Sequence, residues 1–143
     1  EHAQELMGQL THHLGGLERV PAGARLSPAQ LRRVRELVHD RLRERIDLAE
    51  LAACVGLSRF HFLRAFRNTT GITPGDYLFR TRVARAQRLI AETEQSLARI
   101  ACLTGFADQG HLTRQFRRRL GVTPSGYRGL VRGPRARVGH GRV

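Results

Sequence analysis

Apolar residues recur every three to four positions along most of the chain, and no alternation with a period of two is sustained. The first spacing is typical of amphipathic helices, and the second is typical of half-buried strands. We therefore predict an all-α fold of about seven helices. The clearest apolar face is formed by Leu31, Val34, Leu37, Val38 and Leu42.

Helix start and stop signals divide this pattern into separate elements. Ser27 is followed by Pro28 and Gln30, which is the pattern of an N-cap with a capping box, and Asp47 with Glu50 repeats it. Glycines follow several of the apolar runs and predict helix ends. Beside a first helix after Ser27 and a short last helix near Tyr127, we predict helices over 48–55, 58–70, 74–92, 96–104 and 108–120.

The second half of the chain repeats the first at a spacing of about fifty residues. Each copy has a short helix, a turn containing glycine and a second helix of about a dozen residues, which is the helix-turn-helix layout. Two similar helical hairpins can also be a purely structural repeat. The matched pairs are Leu48 with Leu97, Gly56 with Gly105, His61 with His111, Arg64 with Arg114, Phe66 with Phe116, Pro74 with Pro124 and Tyr77 with Tyr127.

The charge of the chain favours the DNA-binding interpretation of this repeat. Twenty-five basic residues against twelve acidic ones leave a formal charge of +13, and every basic residue is an arginine. A GC-rich genome also produces arginine without selection for binding, so the arginine bias alone decides little. The net charge predicts a polyanionic partner, with nucleic acid favoured over an anionic membrane surface.

Other classes of function find little support in the residues. Cys54 and Cys102 lie in apolar helical runs, so we expect them in the core, and no Cys/His spacing predicts a metal or cofactor site. The chain shows no nucleophile–base arrangement, paired acids or phosphate loop, so we expect no catalytic residues and no enzyme activity. No run of eighteen apolar residues predicts a membrane span. A reducing, cytoplasmic compartment is expected.

Three strings carry a resemblance to a known family. Residues 56–66 read GLSRFHFLRAF, residues 105–117 read GFADQGHLTRQFR, and residues 121–128 read GVTPSGYR. With the helix after Ser27, they resemble the DNA-binding domain of AraC/XylS-type transcription regulators. The resemblance implies two helix-turn-helix subdomains joined by a long helix, each placing a recognition helix in the major groove of specific double-stranded DNA. Members of the family are usually activators with a separate domain that binds a small molecule or dimerises.

The resemblance divides the chain into five segments. Residues 27–73 are the first helix-turn-helix subdomain, 74–92 the linker helix and 93–130 the second subdomain. Residues 131–143 are expected to form a disordered basic tail. Residues 1–26 are expected to be a helix and linker left from a removed regulatory domain; their leucine stripe fits the end of that domain or a dimerisation helix equally well.

In the first recognition helix, Phe62 and Phe66 are four residues apart and should face the core. Arg64 is the predicted base reader, through a fork to a guanine edge. Phe60 and Leu63 are expected at thymine methyls or sugar edges, although inward packing of Phe60 is an alternative. The same helix carries two predicted phosphate contacts, Arg59 and Arg67.

In the second recognition helix, Leu112 and Phe116 should face inward and Asp108 should be the N-cap. Arg117 and Arg118 are predicted phosphate contacts in a charge run that is partly a solvated face. The family resemblance places base readers at the positions of Gln109, Gly110 and Arg114, but glycine has no side chain with which to read. The predicted base contacts are Gln109, His111, Thr113 and Arg114.

These observations predict duplex DNA as the partner, RNA polymerase as a second one, and a possible homodimer through a domain that precedes residue 27. No cofactor and no membrane are expected, and the protein is expected at the nucleoid of the cytoplasm. An RNA-binding or general polyanion-binding module is the rival class. A DNA-repair protein can carry a similar segment, but it needs a zinc domain with a reactive cysteine that this sequence does not contain.

Overall fold

The computed structural model describes residues 22–141, with the side chains of residues 22–133. This part of the chain contains helices and no strand, so the predicted all-α fold is confirmed. The seven helices are α1 (Pro28–Asp40), α2 (Leu48–Cys54), α3 (Arg59–Thr70), α4 (Pro74–Glu92), α5 (Leu97–Leu103), α6 (Gln109–Leu120) and α7 (Pro124–Gly141).

The helices begin where the sequence predicts them, because short polar side chains satisfy the first free backbone N–H groups. The Gln30 N–H donates to Ser27 Oγ over 3.1 Å, and the Ser27 N–H donates to Gln30 Oε1 over 2.9 Å. Asp47 and Glu50 form the same reciprocal pair at the start of α2. Ser58, Ser96 and the predicted N-cap Asp108 each accept from the backbone N–H of the residue three positions later.

The chain packs as two compact units. The first contains the described residues up to Arg41 together with Ile46–Leu78, and the second contains Leu42–Arg45 and the chain from Phe79 onward. The boundary therefore falls inside α4, the helix that the resemblance predicts as the linker. Helix α4 is the last helix of the first unit and the first long helix of the second.

The core of the first unit is built around the two phenylalanines of α3. Phe62 and Phe66 are fully buried, as predicted, with ring centroids 5.6 Å apart. The Phe66 ring also meets Tyr77 of α4 edge-on, at 5.6 Å and an interplanar angle of 62°. The other buried hydrophobic residues of this unit are Leu26, Val34, Val38, Ile46, Leu51, Ala52, Val55 and Ala65.

The second unit repeats this packing. Phe116 of α6 is fully buried and meets Tyr127 of α7 edge-on, with centroids 5.4 Å apart and the same interplanar angle of 62°. The sequence repeat is thus also a repeat of core contacts. The buried cluster of this unit is Val83, Ala86, Ile90, Ile100, Ala101, Phe106, Leu112 and Phe116.

Two arginines of α7 donate hydrogen bonds to backbone carbonyls at the C-terminal end of α4 and just beyond it. The Arg128 guanidinium donates to the carbonyls of Ile90, Thr93 and Gln95 over 3.1, 3.3 and 2.8 Å. Arg132 donates to the Thr93 carbonyl over 2.6 Å. The last carbonyls of a helix have no partner within the helix, and a cation there also interacts favourably with the helix dipole.

Arg82 makes an equivalent contact fifty positions before Arg132. Its guanidinium donates to the carbonyls of Leu42 and Glu44 over 3.3 and 2.8 Å, in the segment that follows α1. Burial lowers the pKa of Arg82 from its ordinary value, yet a guanidinium stays protonated at any physiological pH. The sequence repeat therefore extends to arginines that bind backbone carbonyls.

The last helix extends beyond residue 131. Helix α7 continues to Gly141 across a non-helical residue, Gly133 (φ 46°, ψ −146°), although a disordered tail was expected from residue 131. The predicted leucine stripe of residues 6–17 lies outside the described residues.

The backbone just before α1 is bound to the end of α3. Asn68 Nδ2 donates to the carbonyls of Ala22 and Ala24, both over 2.9 Å, and the Leu26 N–H donates to Thr69 Oγ1 over 2.9 Å. The described end of the expected linker is therefore hydrogen-bonded to the first recognition helix.

The expectation that both cysteines pack in the core is wrong. Cys54 is half-buried and Cys102 is exposed, because short helices turn only part of their apolar run inward. Burial raises the pKa of the Cys54 thiol, and the nearby Arg33 charge acts in the opposite direction.

Among the described residues no three His, Cys, Asp or Glu side chains cluster as metal ligands, and none of the helices is long and apolar enough to span a membrane.

We expect Arg128→Ala to lower the free energy of unfolding by about 1–3 kcal/mol, because it leaves partly buried carbonyls at the end of α4 with fewer donors. Urea unfolding followed by circular dichroism measures this loss. Arg85→Ala removes an exposed arginine of α4 and should change the free energy by less than about 0.5 kcal/mol. Equal effects of the two substitutions would show that the carbonyl contacts contribute nothing.

Candidate nucleic-acid interface

Each recognition helix is positioned by a turn centred on a glycine. Gly56 has φ 70° and Gly105 has φ 84°, a left-handed conformation that side chains with a Cβ rarely adopt. In both turns the next residue donates back to the preceding helix over 3.0 Å, from the Leu57 N–H to the Ala52 carbonyl and from the Phe106 N–H to the Ala101 carbonyl. The two helix-turn-helix motifs therefore share the same hydrogen-bonded turn.

The two turns differ in what surrounds the glycine. A Cβ added at Gly56 would meet nothing within 4 Å. A Cβ added at Gly105 would overlap the Leu42 carbonyl oxygen and lie 2.5 Å from Nε of Arg82. The segment after α1 and Arg82 thus pack directly against the second turn, and only glycine leaves them room.

Three of the four exposed side chains of α3 are arginines. Arg59, Arg64 and Arg67 are exposed, and the opposite side is the buried pair Phe62 and Phe66. Two of the predicted readers, Phe60 and Leu63, are half-buried, which is compatible with a contact to either side. The helix contains no acidic residue, so the charged side chains on its outward face are all positive.

On α6 two of the predicted readers, Gln109 and Arg114, are exposed, and Thr113 is half-buried. Leu112 and Phe116 are fully buried, as predicted. This helix also lacks acidic residues. Asp108, just before it, uses Oδ1 to accept from the His111 N–H over 2.7 Å, so the predicted N-cap is confirmed.

The imidazole of His111 is partly engaged within the protein. Its Nδ1 accepts from the Ala107 N–H over 3.2 Å, and its ring meets Phe106 edge-on at 5.5 Å. In the neutral ring this leaves the proton on Nε2, which is a donor. A base contact by His111 is therefore restricted to Nε2, a limit that the outward-face prediction from the sequence did not include.

The arginine run at the end of α6 has two kinds of members. Arg117 and Arg118 are exposed, as phosphate contacts require. The Arg119 guanidinium instead lies over the Phe79 ring, 5.3 Å from its centroid, in a cation–π contact. The sequence left open how these arginines differ, and the structure separates Arg119 from Arg117 and Arg118 by its contact with Phe79, although all three are exposed.

Sequence reasoning missed the positioning role of Arg82, Arg128 and Arg132. One signal was present for two of them, because the fifty-residue spacing that relates the helix-turn-helix motifs also relates Arg82 to Arg132. The contacts of Arg128 join residues 33 to 38 positions apart, so no local pattern predicts them.

Comparison with known proteins agrees with this geometry. The sequence profile of a helix-turn-helix domain family, the AraC-type domain, matches residues 51–129. The chain belongs to the AraC-type helix-turn-helix family. It is a DNA-binding domain of the kind that transcriptional regulators carry, and its relatives form a non-enzymatic class.

Two curated relatives illustrate the match. A probable transcriptional regulator of Photobacterium leiognathi, LumQ, is 35% identical over 95 residues, which are 66% of this chain and 38% of that protein. The MmsAB operon regulatory protein of Pseudomonas aeruginosa is 34% identical over 95 residues, 66% of this chain and 31% of its own length. The chain therefore spans about a third of the length of these relatives.

Two solved structures have the same fold. The DNA-binding domain of the global transcriptional factor AdpA, solved in complex with a target DNA, is 36% identical with a TM-score of 0.68 and covers 74% of this chain and 95% of its own. An AraC-type transcriptional regulator from Chromobacterium violaceum is 26% identical with a TM-score of 0.68, and the coverage is again 74% and 95%.

Substitution of the two turn glycines should have unequal effects. Gly56→Ala introduces only left-handed strain, about 1–2 kcal/mol. Gly105→Ala adds an overlap with a backbone oxygen that cannot rotate away, so we expect it to cost about 1–3 kcal/mol more. Chemical unfolding of both variants measures the difference. Equal losses would show that the segment after α1 does not press on the second turn.

Proposed function

We propose that this chain binds double-stranded DNA sequence-specifically, with α3 and α6 as recognition helices in the major groove. The supporting observation is that two helices with matching turns and matching Phe–Tyr pairs both carry exposed arginines at equivalent positions, Arg64 and Arg114. Arginine is the side chain that forks most often to guanine in the major groove.

The proposed base contacts on α3 are Phe60, Leu63 and Arg64. The proposed base contacts on α6 are Gln109, His111 through Nε2, Thr113 and Arg114. Four exposed arginines outside this set would bind phosphates and fix the position of the helices on the duplex, namely Arg59, Arg67, Arg117 and Arg118.

The exposure of the aromatic residues argues for a duplex rather than a single strand. Proteins that bind single-stranded nucleic acid stack its bases on exposed aromatic rings. Among the described residues, which include every phenylalanine and both tyrosines, no aromatic side chain is fully exposed; each is buried or half-buried. Arginines on helices, without stacking platforms, suit a groove lined by phosphates.

For the whole protein we propose a transcription activator that contacts RNA polymerase and acts at the nucleoid in the cytoplasm. The names of the curated relatives support a role in regulation. Their greater length also leaves room for a regulatory or dimerisation domain of the kind that the sequence resemblance implies.

Duplex binding should depend steeply on salt. Neutralisation of several phosphates releases bound counterions, so the logarithm of the association constant should fall with the logarithm of salt concentration with a slope of roughly −5 to −8. Fluorescence anisotropy on a duplex selected from a random pool, titrated against salt, gives this slope. Comparable affinity for random duplex and single-stranded RNA, without any selected site, would favour the general polyanion-binding class instead.

Arginines that contact bases and arginines that contact phosphates should have different effects in a competition assay. We expect Arg64→Ala and Arg114→Ala each to cost about 1–3 kcal/mol on the selected site and to relax the preference at one base pair. Arg67→Ala should weaken binding to all sequences alike, because phosphates carry no base identity. If the first two variants also lose affinity uniformly, both arginines are phosphate contacts.

A further inference from the structure

The outward face of α6 has a gap in its first turn, and one side chain extends toward it. Gly110 is exposed and has no side chain. A Cβ built there would lie 3.2 Å from Nη1 of Arg114 and 3.3 Å from Oδ1 of Asp108. The tip of Arg114 therefore lies beside the first turn of α6, four residues before its own position in the sequence.

This placement follows from helix geometry. Side chains on a helix lean toward its N-terminus, and residues four apart are neighbours on the same face. A long side chain at position 114 thus extends over position 110, where it is unobstructed only if residue 110 is small. The first turn is also the part of a recognition helix whose side chains meet base edges.

We propose that Gly110 determines the base preference of the second recognition helix by leaving room for the Arg114 guanidinium over the first turn of α6. This inference rests on the proposed function, in which α6 reads bases in the major groove. Gly110 is then a specificity-determining residue, and it acts by deciding which base edge Arg114 reaches.

The first copy of the motif provides an internal contrast. Phe60 stands at the position that matches Gly110, and Arg64 stands at the position that matches Arg114. A half-buried phenylalanine thus stands in the first copy where the second copy has glycine. We expect the two helices to present the same arginine differently, so the two copies should prefer different base pairs.

A larger side chain at position 110 should displace the Arg114 guanidinium further and change the base preference more. At 3.2 Å an added methyl group requires the flexible Arg114 side chain to shift only by a few tenths of an ångström. A long side chain would occupy the place of the guanidinium itself. Gly110 lies in the helix without a positive φ, so alanine or glutamine there should not strain the backbone.

The test compares Gly110→Gln with Gly75→Gln in the full chain. Gly75 is the second residue of α4, as Gly110 is of α6, and both are exposed; a Cβ at Gly75 would meet nothing within 4 Å. Binding sites are selected from a random duplex pool for the wild type and for each variant. Affinities are then measured on duplexes with each of the four base pairs at the position whose preference Arg114→Ala relaxes.

We expect Gly110→Gln to weaken binding to the wild-type site about tenfold and to change the preferred base pair at that position. Gly110→Ala should have a smaller effect, and Gly75→Gln should leave the preference unchanged. In an Arg114→Ala background, Gly110→Gln should cause no further loss on the wild-type site, because the guanidinium that it displaces is already absent.

An unchanged base preference in Gly110→Gln would overturn the inference, and so would an undiminished loss in the Arg114→Ala background. Thermal unfolding without DNA serves as the folding control. If glutamine lowers the unfolding midpoint, Gly110→Ser takes its place, and an unchanged preference in that variant overturns the inference equally. A wild-type chain that selects no duplex site at all would contradict the proposed function instead.

Discussion

In each unit, the orientation of the recognition helix depends on an edge-on aromatic contact with the helix that follows it. Phe66 meets Tyr77 and Phe116 meets Tyr127, at 5.6 and 5.4 Å and the same angle of 62°. Such a pair contributes about 0.5–1.5 kcal/mol beyond the area that it buries, and it fixes which side of the recognition helix faces inward. Because the phenylalanine is fully buried, Arg64 and Arg114, each two residues before it, are held on the outer side of α3 and α6. The arginines are thus exposed because the buried phenylalanine turns the opposite side of each helix toward the core.

A chain with a formal charge of +13 must also accommodate many guanidinium groups without burying them unpaired. Arg82, Arg128 and Arg132 donate to backbone carbonyls, which satisfies the guanidinium and the end of a helical segment together. Other arginines are exposed on helices that contain no acidic residue, where an anionic partner can reach them. Composition alone cannot separate these groups, since the distinction depends on which carbonyls the fold brings near each side chain.

The sequence was sufficient for the helices, for most of the core faces and for the caps, because those depend on residues three or four positions apart. Ser27 with Gln30 and Asp47 with Glu50 are examples. The sequence did not predict contacts between residues that are distant along the chain. Arg82, for example, donates to a carbonyl 40 positions away, and its side chain leaves no room for a Cβ at Gly105. The sequence also failed for Cys102, because an apolar run does not tell which residue of a short helix faces outward. For the candidate site, the sequence predicted the exposed arginines of α3 and α6, but not that Leu63 and Thr113 are half-buried or how the His111 ring is engaged.

The two copies agree in their cores and differ in what they present outward. Their turns and aromatic pairs match, whereas Phe60 and Leu63 of α3 are replaced by Gly110 and Thr113 in α6. A dimer of identical readers requires a site with two-fold symmetry, because both recognition helices carry the same side chains. Two non-identical helices in one chain carry no such requirement. Under the proposed function, a single copy of this domain would therefore read a DNA site without two-fold symmetry, and that asymmetry would give its binding a direction along the duplex.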